Sequence, residues 1–211
     1  LLIASCAPTN EERAEKLVSD RIKDYLTYPD SYESISTKID STRINVSKIE
    51  DILEQTKEVA SLDSKIRSLE FDVESAQSTM EIFAPDCYYY SDFERGQYNR
   101  AKAEYEKHKT NLQQSTAKLQ SKVQDLRVAA ENLYDAENNG WIVTHRYRSK
   151  GDNGEQLPPQ EMVFFCDLEF NHCQGWMSQQ YEFITKIINY IVESESDEEL
   201  LENLRGVQYL L

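Results

Sequence analysis

The sequence has few residues that break helices and little positive charge. Its 211 residues include only six glycines and five prolines, which excludes a collagen-like repeat and a proline- and glycine-rich disordered chain. Lysine and arginine total 23 against 38 aspartates and glutamates, so the formal net charge is −15. A surface that follows a phosphate backbone would form against this negative field, and nucleic acid is therefore not expected as a partner. No run of about 18 apolar residues occurs, so no membrane-spanning helix is predicted.

Histidine is also scarce, and the patterns of common catalytic and metal sites are missing. His108, His145 and His172 fall in three separate predicted elements, whereas nucleophilic catalysis needs a base beside the nucleophile and a third, orienting group. Cys166, His172 and Cys173 offer sulfur and nitrogen ligands, yet a structural zinc site takes four ligands and usually shows tight cysteine pairs. The sequence thus predicts no enzyme, no metal and no cofactor. An envelope hydrolase would need a concave pocket that holds His145 or His172 beside a carboxylate or a cysteine.

The first residues resemble the end of a bacterial lipoprotein signal peptide. A short apolar run ends in Ile3, Ala4, Ser5 and Cys6, and such a tetrad is similar to the lipobox, in which cleavage precedes a cysteine that carries lipid. By this resemblance residues 1–5 are a signal-peptide remnant and Cys6 is the lipidated N-terminus. It implies an exported protein that acyl chains hold at the periplasmic or surface face of the cell envelope. The alternative is a frayed terminus with a free cysteine.

The remaining cysteines allow one disulfide and one unpaired thiol. Cys166 and Cys173 lie seven residues apart across a predicted turn, so a bridge between them is conceivable in an exported protein. Buried reduced thiols are the alternative. Cys87 stands apart from both.

The starts of several helices can be predicted because the Ser/Thr-x-x-Glu spacing of a capping box recurs in the sequence. It occurs four times: Thr9 to Glu12, Ser47 to Glu50, Ser91 to Glu94 and Ser196 to Glu199. With the apolar periodicity, these signals predict a first helix over about 10–27, a strand over 32–39 and a late apolar helix over about 178–193.

The middle of the chain carries heptad repeats. Apolar residues recur every seven positions from Ile52 to Met80 and again from Tyr98 to Leu133, with an interruption at residues 84–87. Two such helices of about 36 and 42 residues with a short connector predict an antiparallel hairpin roughly 55 Å long. We call residues 45–135 the arm. Since a single pair of helices exposes much of its seam, a homodimer through two arms is also expected.

The rest of the chain predicts a small α+β body. Residues 141–148 and 162–168 are β-branched and aromatic, and a loop rich in glycine, asparagine and proline separates them, which is typical of a β-hairpin. The predicted fold is α+β: a helix and β-hairpin body of residues 6–44 and 136–211, into which the antiparallel coiled-coil arm is inserted.

Two surfaces are candidates for binding. At the predicted tip of the arm, Tyr88, Tyr89 and Tyr90 lie between two phenylalanines, and tyrosines offer a large contact area to a protein groove or a sugar. The alternative is that these rings only plug the end of the helix pair. The second surface is the predicted strand that carries Arg146 and Arg148, which could capture an anionic group or pair with the chain's own carboxylates.

Two segments of the body carry a resemblance to a family. Residues 24–34 contain Tyr-Pro-Asp-Ser-Tyr, and residues 141–150 contain His-Arg-Tyr-Arg, followed by Met-Val-Phe at 162–164. This combination resembles small uncharacterised lipoproteins of the Bacteroidetes type. The resemblance implies an N-terminal helix, a strand and a β-hairpin that meet in one body, and it assigns no catalytic residue.

These observations predict a lipid-anchored protein of the cell envelope that acts as a non-enzymatic interaction, spacer or scaffold element and presents an aromatic tip. Its partners would be the membrane, through lipid on Cys6, and a protein or glycan. The alternative is a carbohydrate- or peptide-binding module that uses the tyrosine tip or a cleft beside the β-hairpin.

Overall fold

The structure, a computed structural model, describes residues 8–85, 91–134 and 139–206. The fold is α+β, as the sequence predicts, and combines a long helical hairpin with an antiparallel sheet. The helices are α1 (Asn10–Tyr25), α2 (Ile49–Ile82), α3 (Asp92–Glu131), α4 (Ser178–Glu193) and α5 (Asp197–Arg205). The strands are β1 (Glu33–Thr42), β2 (Gly140–Arg148), β3 (Gln160–Asp167) and β4 (Cys173–Met177).

The chain divides into two compact units. The sheet unit comprises Leu1–Asp51 and Ala129–Val192, and the helical unit comprises Ile52–Val128 and Glu193–Leu211. The sequence places everything after residue 136 in the body, whereas α5 groups with the long helices. The boundaries therefore differ from the predicted ones at the C-terminal end.

The sheet unit is built on four antiparallel strands in the order β1-β2-β3-β4. α1 covers one face, because its apolar residues recur at helical spacing and pack against alternate residues of the strands. The buried cluster contains Ala14, Val18, Ile22, Val143, Tyr147, Phe164, Cys166 and Phe170.

A bulge in β1 interrupts the alternation of its side chains. Strict alternation over the predicted strand of residues 32–39 would place Ile35 on one face with Thr37 and Ile39, but the register with β2 shifts between Ser34 and Ser36. As a result Ile35 is exposed, while Tyr32 packs with the core. An extra residue in one strand of a pair turns the following side chains to the other face, which periodicity alone does not reveal.

In the helical unit, α2 and α3 run antiparallel. Lys118 and Lys122, one turn apart on α3, both reach Glu58 of α2, at 3.0 and 2.8 Å. Nearer the connector, His108 Nδ1 lies 3.6 Å from the carboxylate of Asp72. Ascending positions on one helix thus pair with descending positions on the other, which confirms the predicted hairpin.

The third helix of this unit is held by buried charge. Asp63 of α2 is 4% exposed, and its carboxylate accepts two hydrogen bonds from the guanidinium of Arg205, at 2.8 and 2.6 Å. Arg67 contacts the same carboxylate at 3.2 Å. Arg127 of α3 donates to Asp197 at the start of α5. Leu200 and Leu204 of α5 are buried, so this short helix has a buried apolar face in addition to its ion pairs.

The predicted helix caps hold at three of the four starts. Thr9 and Glu12 form a reciprocal capping box, and so do Ser91 and Glu94. At α5, Ser196 accepts from the backbone N–H of Glu199.

The prediction for Ser47 is wrong. Its hydroxyl donates to Asn45 Oδ1 at 2.7 Å, and the residue lies in a single 3-10 turn, Val46–Lys48, ahead of α2.

Within the described residues, no helix is long and apolar enough to cross a bilayer.

Candidate binding cleft beside the edge strand

Two neighbouring pockets of the sheet unit lie between the second half of α1 and β4. They share Arg21, Cys173 and Gln174 as lining residues. Their volumes are about 630 Å³ and about 320 Å³, and the larger volume is within the range of small-ligand sites. We call the pair the edge cleft.

The two ends of the edge cleft differ in chemistry. The larger pocket is polar and adds Asn45, Ser47, Glu50, Asn139, Asp167 and His172 to the shared residues. The smaller pocket is largely apolar and adds Ile22, Tyr25, Met162, Phe164 and Gly175. A ligand with an apolar group beside a polar one would match both ends.

The strand β4, which forms one wall of the edge cleft, was missed by the sequence prediction. It follows a turn in which Phe170 adopts a positive φ of 59°, and the Asp167 carboxylate accepts hydrogen bonds from the backbone N–H groups of Asn171 and His172. A disulfide joins Cys166 to Cys173 across the strand pair. The five residues of β4 are too few to show a period, so neither the turn nor the strand was recognisable from spacing.

β4 is the last strand of the sheet, and part of its backbone faces away from β3. The bond from Asp167 N to His172 O fixes the phase of the antiparallel ladder. By alternation the N–H and C=O groups of Cys173 and Gly175 point outward. Met177, next in that series, donates its N–H to Gln180 Oε1 at 3.2 Å, which agrees with the assignment.

Gly175 keeps this wall open for a steric reason. A Cβ atom at this position would lie 2.3 Å from Cε1 of Phe164, its cross-strand neighbour. Because no side chain can stand there, the cleft reaches the ring of Phe164, which lines its apolar end.

The charged groups of the edge cleft are unequally engaged. Both oxygens of Asp167 already accept backbone N–H groups. Arg21 is exposed, and within the described part of the chain no carboxylate lies within ion-pair distance of its guanidinium. A guanidinium without a partner at the junction of the two pockets is a natural anchor for an anionic group.

A second polar cluster lies in the core rather than in a cleft. His145 is fully buried; its Nε2 lies 2.6 Å from the Tyr32 hydroxyl and its Nδ1 lies 2.9 Å from Thr37 Oγ1. The Tyr32 hydroxyl also lies 2.6 Å from Ser19 Oγ. Burial lowers the pKa of His145 below its ordinary value and raises the pKa of Tyr32. These hydrogen bonds tie α1, β1 and β2 together, so the cluster serves packing.

Among the residues singled out from the sequence, His172 and Cys173 line the edge cleft. Cys6, Cys87, Tyr88, Tyr89 and Tyr90 fall outside the described residues. The two phenylalanines that flank residues 87–90 in the sequence are described: the rings of Phe83 and Phe93 pack edge to face with centroids 6.3 Å apart, and Phe93 is 67% exposed. The described end of the hairpin thus carries exposed aromatic surface.

The two arginines of β2 are exposed and lie outside the edge cleft. Arg146 faces Glu161 on β3, and Arg148 faces Glu33 on β1. Acidic cross-strand neighbours offset their charge, so this strand offers less to an anion than its sequence indicates.

The larger pocket holds His172 together with Asp167 and Cys173, the combination that a hydrolase would need, but the described residues form no pair of nucleophile and base there. Cys173 is held in a disulfide, and the side chain of His172 forms no hydrogen bond with a described carboxylate or hydroxyl. In the same residues, no group of three metal-ligating side chains converges. The arrangement is suited to binding.

Comparison with protein-family models, with curated proteins and with solved structures finds no match to this chain.

Proposed function

We propose that this protein is an exported, lipid-anchored component of the bacterial cell envelope with an interaction or spacer role. The observation that carries the proposal is the hairpin of α2 and α3, helices of 34 and 40 residues held in one register by the ion pairs of Glu58. At about 1.5 Å per residue these helices span some 50 to 60 Å. Such a rod suits spacing or presentation of its aromatic end.

Export and anchoring are supported by two features. The lipobox-like residues around Cys6 match the signal of a lipoprotein. The Cys166–Cys173 disulfide suits an oxidising compartment, since disulfides are rare in the reducing cytosol.

The anchor is tested by expressing the chain behind a complete bacterial lipoprotein leader. We expect metabolic labelling with an alkyne fatty acid and recovery in the membrane fraction. Cys6→Ser removes both, and Cys87→Ser, the matched control, retains both. A soluble, unlabelled product with Cys6 present would overturn the anchor.

The interaction role is tested at the tip. Residues 84–91 are replaced by a short turn, and envelope proteins that cross-link to the wild-type and the shortened chain are compared. We expect a specific protein or glycan to be lost from the shortened chain. Identical profiles would contradict a role for the tip.

The second candidate function is a carbohydrate- or peptide-binding module that uses the edge cleft. The observation in its favour is a volume of about 630 Å³ lined by polar side chains beside a smaller apolar pocket. This function does not require the hairpin tip, so the tip replacement separates the two candidates.

A further inference from the structure

We infer that the edge cleft takes an extended peptide, which adds to the sheet beside β4 and places an apolar side chain and a carboxylate, two residues apart, in the two pockets. This inference rests on the second proposed function, the binding module, and names its ligand class. The occupant is a strand of another protein with the pattern apolar-x-acidic.

The backbone of β4 supplies the first argument. Cys173 and Gly175 present their N–H and C=O groups away from β3, and no backbone group of another described residue bonds to them there. Main-chain groups in this arrangement are what an added strand pairs with in β-augmentation. A sugar would leave most of this regular edge unused.

The spacing along the strand supplies the second argument. An added strand that runs antiparallel to β4, like every strand pair of this sheet, meets Gly175 first and Cys173 second. Its residues that pair with these two lie two apart, about 7 Å, and their side chains point to the same face. That face is the one covered by α1, because the side chain of Cys173 bonds there to the buried Cys166. Alternate side chains of the peptide would therefore enter the edge cleft.

The chemistry of the two ends decides which side chains these are. Opposite Gly175 lies the pocket lined by Tyr25, Met162 and Phe164, which suits an aliphatic side chain. Opposite Cys173 lies the polar pocket, where Arg21 has no carboxylate partner among the described residues. Charge complementarity with that guanidinium selects a carboxylate.

Glu50 also lines the polar pocket, and the chain as a whole carries a charge of −15. A strongly acidic peptide would be repelled at long range. The preferred ligand therefore has one carboxylate in an otherwise neutral or basic segment, and its affinity depends on where that carboxylate stands.

The test is a selection of random nonapeptides, displayed on phage, against the full 211-residue chain. The selection uses the wild-type chain alone, and the enriched peptides are then measured against Arg21→Glu. Lys16→Glu is the matched control because it makes the same charge change on exposed α1 surface outside the cleft. Both residues are exposed, so the variants are expected to fold. Circular dichroism verifies this before selection.

We expect enriched peptides with the apolar-x-acidic pattern. Arg21→Glu should weaken them about tenfold, whereas Lys16→Glu leaves their affinity unchanged. Replacing the peptide carboxylate by lysine should restore binding to the Arg21→Glu variant. Tyr25→Ala should weaken peptides with the apolar residue, and N-methylation of the peptide backbone opposite Gly175 should weaken all of them.

Amide shifts in the NMR spectrum map the site independently of these variants. Binding should move the signals of Cys173 and Gly175 more than those of β1, the opposite edge of the sheet. Substitution of Gly175 itself is not informative, because a Cβ there displaces Phe164.

Three outcomes would overturn the inference. They are no enrichment above the unselected library, enriched peptides that bind the Arg21→Glu variant equally well, and shifts confined to residues outside the edge cleft. If no peptide binds but the chain binds a glycan on an array, and Arg21→Glu abolishes that binding, the proposed binding module stands and the peptide ligand is rejected. Loss of anchoring or of tip-dependent partners bears only on the envelope proposal.

Discussion

At the scale of single residues, the buried imidazole of His145 couples folding to pH. Both ring nitrogens have hydroxyl partners, Tyr32 and Thr37, and a neutral ring satisfies both because each hydroxyl can donate or accept. A protonated ring would bury a charge that no carboxylate of the described residues contacts, so burial lowers the pKa of His145 more than the nearby negative charge of Glu15 raises it. The folded state therefore resists a proton that the unfolded chain accepts.

We predict that this histidine makes the protein lose stability as the pH falls below about 6.5, the ordinary histidine pKa. Above that value the ring is neutral in both states; below it the unfolded chain binds the extra proton, so the free energy of unfolding declines by up to about 1.4 kcal/mol per pH unit. Urea titrations from neutral to mildly acidic pH measure this slope. His145→Gln should flatten it, whereas His172→Gln, at an exposed position, should not. Parallel slopes for the wild type and His145→Gln would contradict the prediction.

At the scale of elements, the short strand β4 depends on its covalent link. Five residues pair with β3, and the disulfide closes a loop with a sequence separation of seven residues. In the chain-entropy model, closing a loop of this size stabilises the fold by about 2–3 kcal/mol.

We predict that reducing this bond lowers the free energy of unfolding by about that amount and exposes β4 to hydrogen exchange before β2 or β3. Denaturant titrations and amide exchange of the oxidised and reduced chain give the comparison. The Cys166→Ala/Cys173→Ala double variant should behave like the reduced wild type and show no further response to reductant. Equal protection of β4 in both states would contradict the structural role of the bond.

The attachment of α5 is a second property of an element. Arg205 of α5 donates two hydrogen bonds to the buried carboxylate of Asp63 on α2. Arg67, which lies on α2 one turn after Asp63, makes one longer contact with the same carboxylate. Because the Arg205 side chain is 40% exposed, solvent screens part of the interaction.

We predict that Arg205→Ala costs about 1–2 kcal/mol and selectively releases α5, since Asp63 loses its best partner. Arg67→Ala is the matched control: it removes a cation from the same carboxylate and should leave the amides of α5 protected. Hydrogen exchange by mass spectrometry resolves the helix. Uniform loss of protection across the helical unit in Arg205→Ala would argue against a local role.

The elements also show what the sequence could and could not predict. Long periodic segments were predictable, because α2 and α3 repeat their apolar residues over many turns and Thr9 and Ser91 cap their helices with the expected glutamates. β4 and the bulge before Ser36 were not, because each depends on one or two residues whose effect is set by neighbouring strands. The edge cleft is formed by α1, β3 and β4 together with the segment before α2. These elements are far apart in the sequence, so no local sequence pattern predicts the cleft.

At the scale of the whole molecule, the seam of the helical hairpin determines the expected assembly. At the end of the hairpin away from the connector, the seam residues are buried, among them Ile52, Val59 and Leu126. Toward the connector the seam is only half-buried, as at Met80 and Tyr105. Two helices alone cannot enclose an a/d seam along this length. We therefore propose that the hairpins of two copies pair through their connector-side halves.

The prediction is a reversible homodimer whose population rises with concentration and with ionic strength. Salt matters because two chains of charge −15 repel each other, and screening reduces that repulsion while apolar burial is retained. Light scattering after size exclusion should give a mass that moves from 24.6 kDa toward twice that value. Tyr105→Lys, in the seam, should shift the equilibrium to the monomer, whereas Phe71→Ser, which alters a 70% exposed ring outside the heptad series, should not. If Phe71→Ser dissociates the dimer and Tyr105→Lys does not, the two copies associate through the outer face of α2 and not through the seam. A monomer at the highest salt and protein concentration would exclude pairing through the hairpins.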